Sequence, residues 1–211
     1  MKRFTPRFQG GPWPDGARVL HVYVLPEADL DTDLIALAAA CRTAMAPYPI
    51  RPLPDGLLHV TVEMVADTTS DKISATERDT LADSLRSHLD GVAPFQVMAG
   101  SPIANRAGAL LDLTPDADLL DLRSRVRGAL VAARGPQTLQ HQGGRHHLAL
   151  GYAGAETDSD PLQSALRSIT PSHAPLTIGA VHLLDVGFRE HPDSWELSWD
   201  PVATIALTPP R

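Results

Sequence analysis

The chain has 211 residues, of which 43% are hydrophobic, and this length allows one sizeable core but not two independent enzymes. Its 25 acidic residues outnumber its 18 basic ones, and the formal charge of −7 argues against a non-specific grip on long duplex nucleic acid. The same charge still allows a short nucleotide to bind in a locally basic cleft. We therefore expect one compact domain over residues 1–211, and a monomer.

Cysteine usage and hydropathy indicate the compartment. Cys41 is the only cysteine, and it lies in a helical pattern with no activating partner nearby, which favours a buried thiol over a nucleophile. A chain without a disulfide framework suits a reducing cytoplasm. The basic amino terminus lacks an apolar signal core, and no stretch approaches the roughly 18 apolar residues of a membrane span. We expect a soluble cytoplasmic protein that has no membrane partner.

Hydrophobic periodicity predicts helices that alternate with strands, and then a terminal hairpin. Ser74 and Glu77 have the spacing of a capping box at the start of one helix. The predicted strands are 17–26, 56–65, 94–103, 108–115, 146–153, 175–190 and 195–207, and the predicted helices are 29–45, 74–92, 116–133 and about 160–169. The two last strands are expected to form a hairpin over about 175–208, which favours an α+β fold over a purely parallel sheet.

An internal repeat is visible when the chain is compared with itself. The segment "VLPEADLDTDL" resembles "LTPDADLLDLR", with Pro26 and Pro115 as equivalent residues. His59 and His147 have nearly the same separation as the two prolines. The agreement predicts a duplicated strand, helix and strand, in units of about 18–66 and 106–153, with one histidine in each copy.

The period of two along a strand predicts which side chains share a face. In "LLHVTVEMV" it places His59, Thr61 and Glu63 on one face, opposite Val62 and Met64. An ordinary wet sheet face would show the same pattern, so this strand alone does not identify a site.

The same period applies to "RHHLALGY". It places Arg145, His147 and Ala149 on one face, and His146 and Tyr152 with the leucines on the opposite, core face. Packing of the two units about a pseudo-two-fold axis would bring His59 and His147 together across a cleft. Two imidazoles that face a common space suit acid and base work on a phosphodiester.

At these motifs the sequence resembles the two-histidine phosphoesterases, specifically the bacterial proteins labelled 2'-5' RNA ligase-like or RNA cyclic phosphodiesterases. That family carries two His-x-Thr/Ser motifs flanked by hydrophobic residues. The first motif is intact from His59 to Val62, whereas the second, from His147 to Leu150, has Ala149 in place of Thr or Ser. The resemblance covers about 18–208. It implies a bilobal α+β fold in which two antiparallel-rich sheets flank a central cleft, with the helices outside.

The resemblance also implies metal-independent hydrolysis of 2',3'-cyclic phosphates or 2'-5' linkages, without a cofactor, on a nucleotide or an RNA 3'-end. It implies that His59 and His147 act as general acid and base, and that Thr61 donates a hydrogen bond to the phosphate. The absence of a hydroxyl at Ala149 would slow the enzyme unless Arg145 supplies the lost contact to the phosphate. Ligase activity has no independent support in the sequence.

Several alternatives stay open at this stage. Ala149 also fits a degenerate relative that binds a nucleotide or RNA end without turnover. Tyr23 could line the cleft or belong to a half-buried surface pair with His21. A zinc site that uses His141, His146 and His147 is disfavoured, because the last two face opposite ways and no acidic or thiol ligand completes the set. Trp195 and Trp199 are expected to serve packing.

Overall fold

The computed structural model describes residues 1–140 and 144–210. Its strands are β1 Arg7–Phe8, β2 Gly11–Pro12, β3 Arg18–Val24, β4 Ile50–Pro52, β5 Val60–Met64, β6 Phe95–Ala104, β7 Gly108–Thr114, β8 His147–Ala153, β9 His173–Ile178, β10 Ala180–His191 and β11 Ser194–Ala206. Its helices are α1 Thr32–Met45, α2 Ala75–Leu89, α3 Ala117–Arg134 and α4 Asp160–Arg167.

The helices form where the sequence repeats apolar residues at intervals of three and four. In α1 this spacing buries one stripe of the helix, which consists of Leu34, Leu37, Ala38, Cys41 and Met45. The predicted capping box of α2 is present, because the Ser74 hydroxyl accepts from the Glu77 amide while the Glu77 carboxylate accepts from the Ser74 amide. The thiol of Cys41 is buried, and its burial raises its pKa to about 12.

The main sheet has two antiparallel halves. Its strand order is β11-β10-β3-β5-β8-β7-β6-β9, with β4 paired to the far part of β8, and every pairing is antiparallel. Among the described residues, the one strand pairing between the halves is that of Val60 with Leu148. The predicted α+β fold with two antiparallel sheets is confirmed, although the sheets are continuous through this one pair.

The order of strands is symmetric about the β5–β8 junction, as a duplicated unit would give. On that view β3, α1 and β5 correspond to β7, α3 and β8. Helices α2 and α3 pack on the half that contains β5, whereas α1 and α4 pack on the other half. The duplication itself stays a prediction.

The predicted strand at 175–190 is two strands. The chain leaves the sheet at Gly179, between β9 and β10. β9 pairs with β6 at one edge of the sheet, whereas β10 pairs with β3 and β11 in the other half. The hairpin of the structure therefore begins at Ala180, because the apolar run continues through a change of partner that periodicity does not register.

Two β-bulges correct the predicted faces, because each inserts one residue that has no partner and so reverses the alternation beyond it. In β5 the inserted residue is Val62, since Tyr23 pairs with Thr61 and Val22 pairs with Glu63. Glu63 therefore lies on the helix side with Val22. The prediction that Glu63 shares a face with His59 and Thr61 is wrong.

The second bulge, at Leu150 in β8, corresponds to the first. Leu110 pairs with Ala149, but its neighbour Ala109 pairs with Gly151. The bulge turns Tyr152 to the face of His147 and Ala149, so the prediction that Tyr152 lies on the core face is wrong. Each bulge comes directly after the third residue of a histidine motif.

In the described part of the chain, no helix is both long and apolar enough to cross a membrane.

Candidate active site

The two histidine motifs meet where the halves of the sheet join. His59 and His147 each precede one member of the pair Val60 and Leu148. If this antiparallel register is extended by one residue each way, Thr61 lies across from His147 and Ala149 lies across from His59. Each histidine therefore faces the position that carries the hydroxyl in the other motif. The two predicted catalytic residues lie close enough that a charge on His147 lowers the pKa of His59.

His59 is held between aromatic rings. Its imidazole is stacked on Tyr23, with the ring centroids 4.4 Å apart and 18° between the planes, and it meets the edge of Trp199 at 5.6 Å. Only 4% of the residue is exposed. The Nδ1 atom lies 2.9 Å from the Leu57 carbonyl oxygen, so Nδ1 carries the proton and Nε2 of the neutral ring has the free lone pair.

Burial controls the charge of His59. Desolvation lowers its pKa to about 4, while the bond to the Leu57 carbonyl acts in the opposite direction. The imidazole is therefore neutral at neutral pH.

The lowered pKa predicts a dependence of stability on pH. At pH values between about 6.5 and 4 the unfolded chain binds a proton at His59 that the folded chain does not, so acid favours unfolding. We expect the free energy of unfolding to fall by about 3 kcal/mol between pH 7 and pH 4 because of proton uptake by His59 in the unfolded chain. Denaturant unfolding at a series of pH values, with His59→Gln as the comparison, measures it. Equal pH dependence in both proteins would contradict the prediction.

His147 lies in a more open position. It is exposed, and its Nδ1 atom lies 3.0 Å from the Arg145 carbonyl oxygen. The contact repeats that of His59, because both histidines bond the carbonyl two residues before them. Each imidazole therefore keeps Nε2 for a ligand. His147 and Ala149 line a cavity of about 90 Å³ together with Phe4 and Tyr152.

The other predicted site residues lie around this pair. Thr61 is exposed, and it pairs with Tyr23 between β5 and β3. Tyr23 is buried beneath His59, with 2% exposure, and the burial raises its pKa. Ala149 is 7% exposed. Arg145 is exposed, and within residues 1–140 and 144–210 its side chain has no hydrogen bond or ion pair.

His146 lies on the opposite side of β8, as predicted. It is buried at 4% exposure, and its Nε2 atom has no hydrogen-bond partner in the described part of the chain. Burial lowers its pKa, and the nearby Arg123 lowers it further. Arg123 also pairs with Glu63 at 3.3 Å and reaches the Gly144 carbonyl. This charged cluster lies behind the two motifs rather than in the cleft.

Three aromatic residues of the site are not predicted by the sequence. Trp199 is expected to serve packing, yet its ring contacts both His59 and Tyr23. Alternation places Tyr152 on the wrong face, because it does not register the bulge. Phe4 belongs to an amino-terminal segment in which no element is predicted. The glycines and prolines of "QGGPWPDG" indicate a chain reversal there. This is the one local signal from which a return of the segment over the sheet could have been predicted.

A second, larger cavity lies elsewhere in the molecule. It has a volume of about 990 Å³ and is bounded by the amino-terminal hairpin and by residues 67–72. Among its walls are Arg18, Arg78 and Asp185, which are linked by ion pairs. None of the predicted site residues lines it.

The metal alternative involves His141, His146 and His147. The described residues contain no group of three or more His, Cys, Asp or Glu side chains that could hold a metal ion. His146 and His147 point to different faces of β8. His141 lies outside the described residues.

Solved structures share this fold. TT0787 of Thermus thermophilus matches with a TM-score of 0.64 and 13% identity, over 90% of this chain and 97% of that chain. Apo LigT of E. coli matches with a TM-score of 0.58 and 14% identity, over 91% of this chain and 98% of that one. The chain has the LigT fold. A structure described as a phosphoesterase agrees, with a TM-score of 0.58 and 15% identity, over 90% of this chain and 99% of the other.

The LigT fold is the one that the sequence resemblance implied. The resemblance to the two-histidine phosphoesterases is therefore confirmed at the level of the fold. No family model and no curated protein matches the sequence. With identities of 13–15%, the fold is what these similarities establish.

Proposed function

We propose that this protein is a metal-independent phosphodiesterase that hydrolyses 2',3'-cyclic phosphates or 2'-5' linkages in nucleotides or at RNA 3'-ends. The observation that carries the proposal is the pair of imidazoles at the β5–β8 junction. Both are held by the same Nδ1 contact to a carbonyl, and both keep Nε2 for a ligand. LigT structures with 3'-AMP, NADP+ and ATP support a nucleotide as the ligand class.

The environments of the two histidines divide the roles between them. The neutral His59 takes the proton of the attacking water at Nε2, while the water oxygen bonds to phosphorus. The bond from phosphorus to the departing ribose oxygen breaks, and the protonated His147 gives its Nε2 proton to that oxygen. His147 is exposed, so solvent can return a proton to it after each turnover. Thr61 donates a hydrogen bond to a non-bridging phosphate oxygen.

A panel of substrates tests the function. It contains 2',3'-cyclic nucleotides, 2'-5' dinucleotides and cyclic dinucleotides, all assayed with EDTA. We expect hydrolysis of at least one of the first two classes to survive chelation, with a bell-shaped pH profile, because no metal is needed to activate water. Loss of all turnover in EDTA that zinc restores would contradict the metal-independent mechanism.

Ala149 favours a second candidate, a protein of the same fold that binds a nucleotide or RNA end without hydrolysing it. The second motif lacks its hydroxyl, and the cavity beside His147 is small. Tight nucleotide binding without turnover of any substrate in the panel would support this candidate.

Ala149→Thr is expected to raise kcat/KM about tenfold, because a hydroxyl at this position would donate a hydrogen bond to the phosphate. Ala149→Val is the matched control, since it adds similar volume without a donor.

Arg145→Ala is expected to lower kcat/KM, and to lower it more in the native background than in Ala149→Thr, if the arginine replaces the missing donor. Steady-state kinetics of these variants and the native protein measures both effects. Equal kcat/KM values for Ala149→Thr and Ala149→Val would contradict the prediction for Ala149.

A further inference from the structure

An aromatic ring from the amino terminus covers a tyrosine beside His147. Phe4 is stacked on Tyr152 with the ring centroids 4.1 Å apart and 15° between the planes. This near-parallel contact is the geometry in which nucleic-acid bases stack on aromatic side chains. Phe4 therefore occupies one face of Tyr152 in the way that a base would.

Tyr152 belongs to the candidate site. The bulge at Leu150 turns it to the face of His147, and both line the same cavity. Tyr152 thus lies beside His147 in the candidate site.

The cavity is too small for a nucleotide while Phe4 is in place. Its volume is about 90 Å³, whereas sites for small molecules and cofactors have about 300–1,000 Å³. Its floor consists of small residues, among them Gly108, Ala109 and Ala149. Removal of the Phe4 ring would extend this space along the face of Tyr152.

The segment that carries Phe4 is held mainly by backbone hydrogen bonds, among them those from the Lys2 amide to the Arg106 carbonyl at 2.7 Å and from the Thr157 amide to the Met1 carbonyl at 3.2 Å. The Phe4 amide donates to the Ala153 carbonyl at 2.7 Å, and the terminal amine donates to the Thr157 carbonyl at 2.6 Å. Arg3 donates to the His191 carbonyl at 2.8 Å and forms an ion pair with Glu190 at 3.1 Å. Both side chains of the ion pair are exposed, so the pair adds little stability. The Phe4 ring itself contacts Tyr152 and Phe188.

We propose that Tyr152 is the platform on which the nucleobase of the substrate stacks, and that Phe4 occupies this platform when no nucleotide is bound. The proposal rests on the proposed function in one respect, that the site binds nucleotides. Binding then requires the Phe4 ring to leave Tyr152, and the ring acts as an internal competitor of the base.

Calorimetry with two probes tests the proposal. Phe4→Ala is expected to bind 3'-AMP about tenfold more tightly than the native protein, because the competing ring is gone. Its affinity for inorganic phosphate, which has no base, is expected to stay unchanged. Phe8→Ala is the matched control, since Phe8 belongs to the same segment but packs on Trp13 and does not line the cavity. It is expected to bind both probes like the native protein.

Substitutions of Tyr152 complete the test, in the Phe4→Ala background. Tyr152→Phe keeps the ring and is expected to retain the gain for 3'-AMP, whereas Tyr152→Leu is expected to lose it. Thermal melting identifies any variant that fails to fold. If Tyr152→Leu does not fold, the affinity of Tyr152→Phe for 3'-AMP decides the result. Equal gains for 3'-AMP and phosphate in Phe4→Ala, or a full gain in Tyr152→Leu, would overturn the proposal. Absence of 3'-AMP binding would also overturn it, whereas the fate of hydrolysis in the substrate panel decides the proposed function separately.

Discussion

His147→Ala is expected to lower kcat/KM for the hydrolysed substrate by on the order of 10²–10⁴-fold, the usual contribution of general acid or base catalysis. The loss is expected without unfolding, because His147 is exposed and its side chain fills no core space. His59 is expected to show a loss of the same order. Because His59 is buried among aromatic rings, His59→Ala would leave a cavity. His59→Gln is therefore the better variant for measuring this loss.

His146→Ala is the control for this experiment. The residue is adjacent in sequence and also an imidazole, but it lies on the helix side of β8. We expect its kcat/KM to stay near the native value. An inactive His146→Ala beside an active His147→Ala would contradict both the assignment of faces and the mechanism.

Glu63→Gln is expected to lower the free energy of unfolding by about 3 kcal/mol, the order of the cost of breaking a buried salt bridge by removing the charge of one partner. The Glu63 carboxylate is 1% exposed and accepts from Arg123 and Arg127 of α3, and from the Met64 amide. The substitution keeps the shape of the side chain but removes the charge that both guanidinium groups face. Denaturant unfolding with an unchanged m-value measures the loss.

Asp121→Asn is the matched control for Glu63→Gln. Asp121 pairs with Arg125 at 2.8 Å on the same helix, but both side chains are exposed. We expect this variant to stay within about 0.5 kcal/mol of the native protein. A cost for Glu63→Gln no larger than that of Asp121→Asn would show that the buried pair does not hold α3 on the sheet.

The sequence predicted the elements that repeat a strong local signal. The apolar stripe of α1 and the capping box at Ser74 both depend on residues a few positions apart, and the structure has them where the spacing indicated. The helix-side position of His146 followed from strict alternation. It is correct because it lies before the bulge in β8.

Predictions beyond a bulge failed. Glu63 and Tyr152 both follow an inserted residue, and a bulge depends on the register of the partner strand, which a single strand does not encode. The change of partner at Gly179 has the same origin. The contacts of Phe4 and Trp199 join residues far apart in the chain, so no local pattern could predict them.

His59 and His147 are expected to bind one phosphate together. The most direct test is to follow the imidazole ¹⁵N resonances of His59, His146 and His147 during a titration with 3'-AMP. We predict that the Nε2 resonances of His59 and His147 shift together, with one dissociation constant, while those of His146 stay unchanged. A shift of His146 without His147, or of only one of the two predicted histidines, would contradict the account.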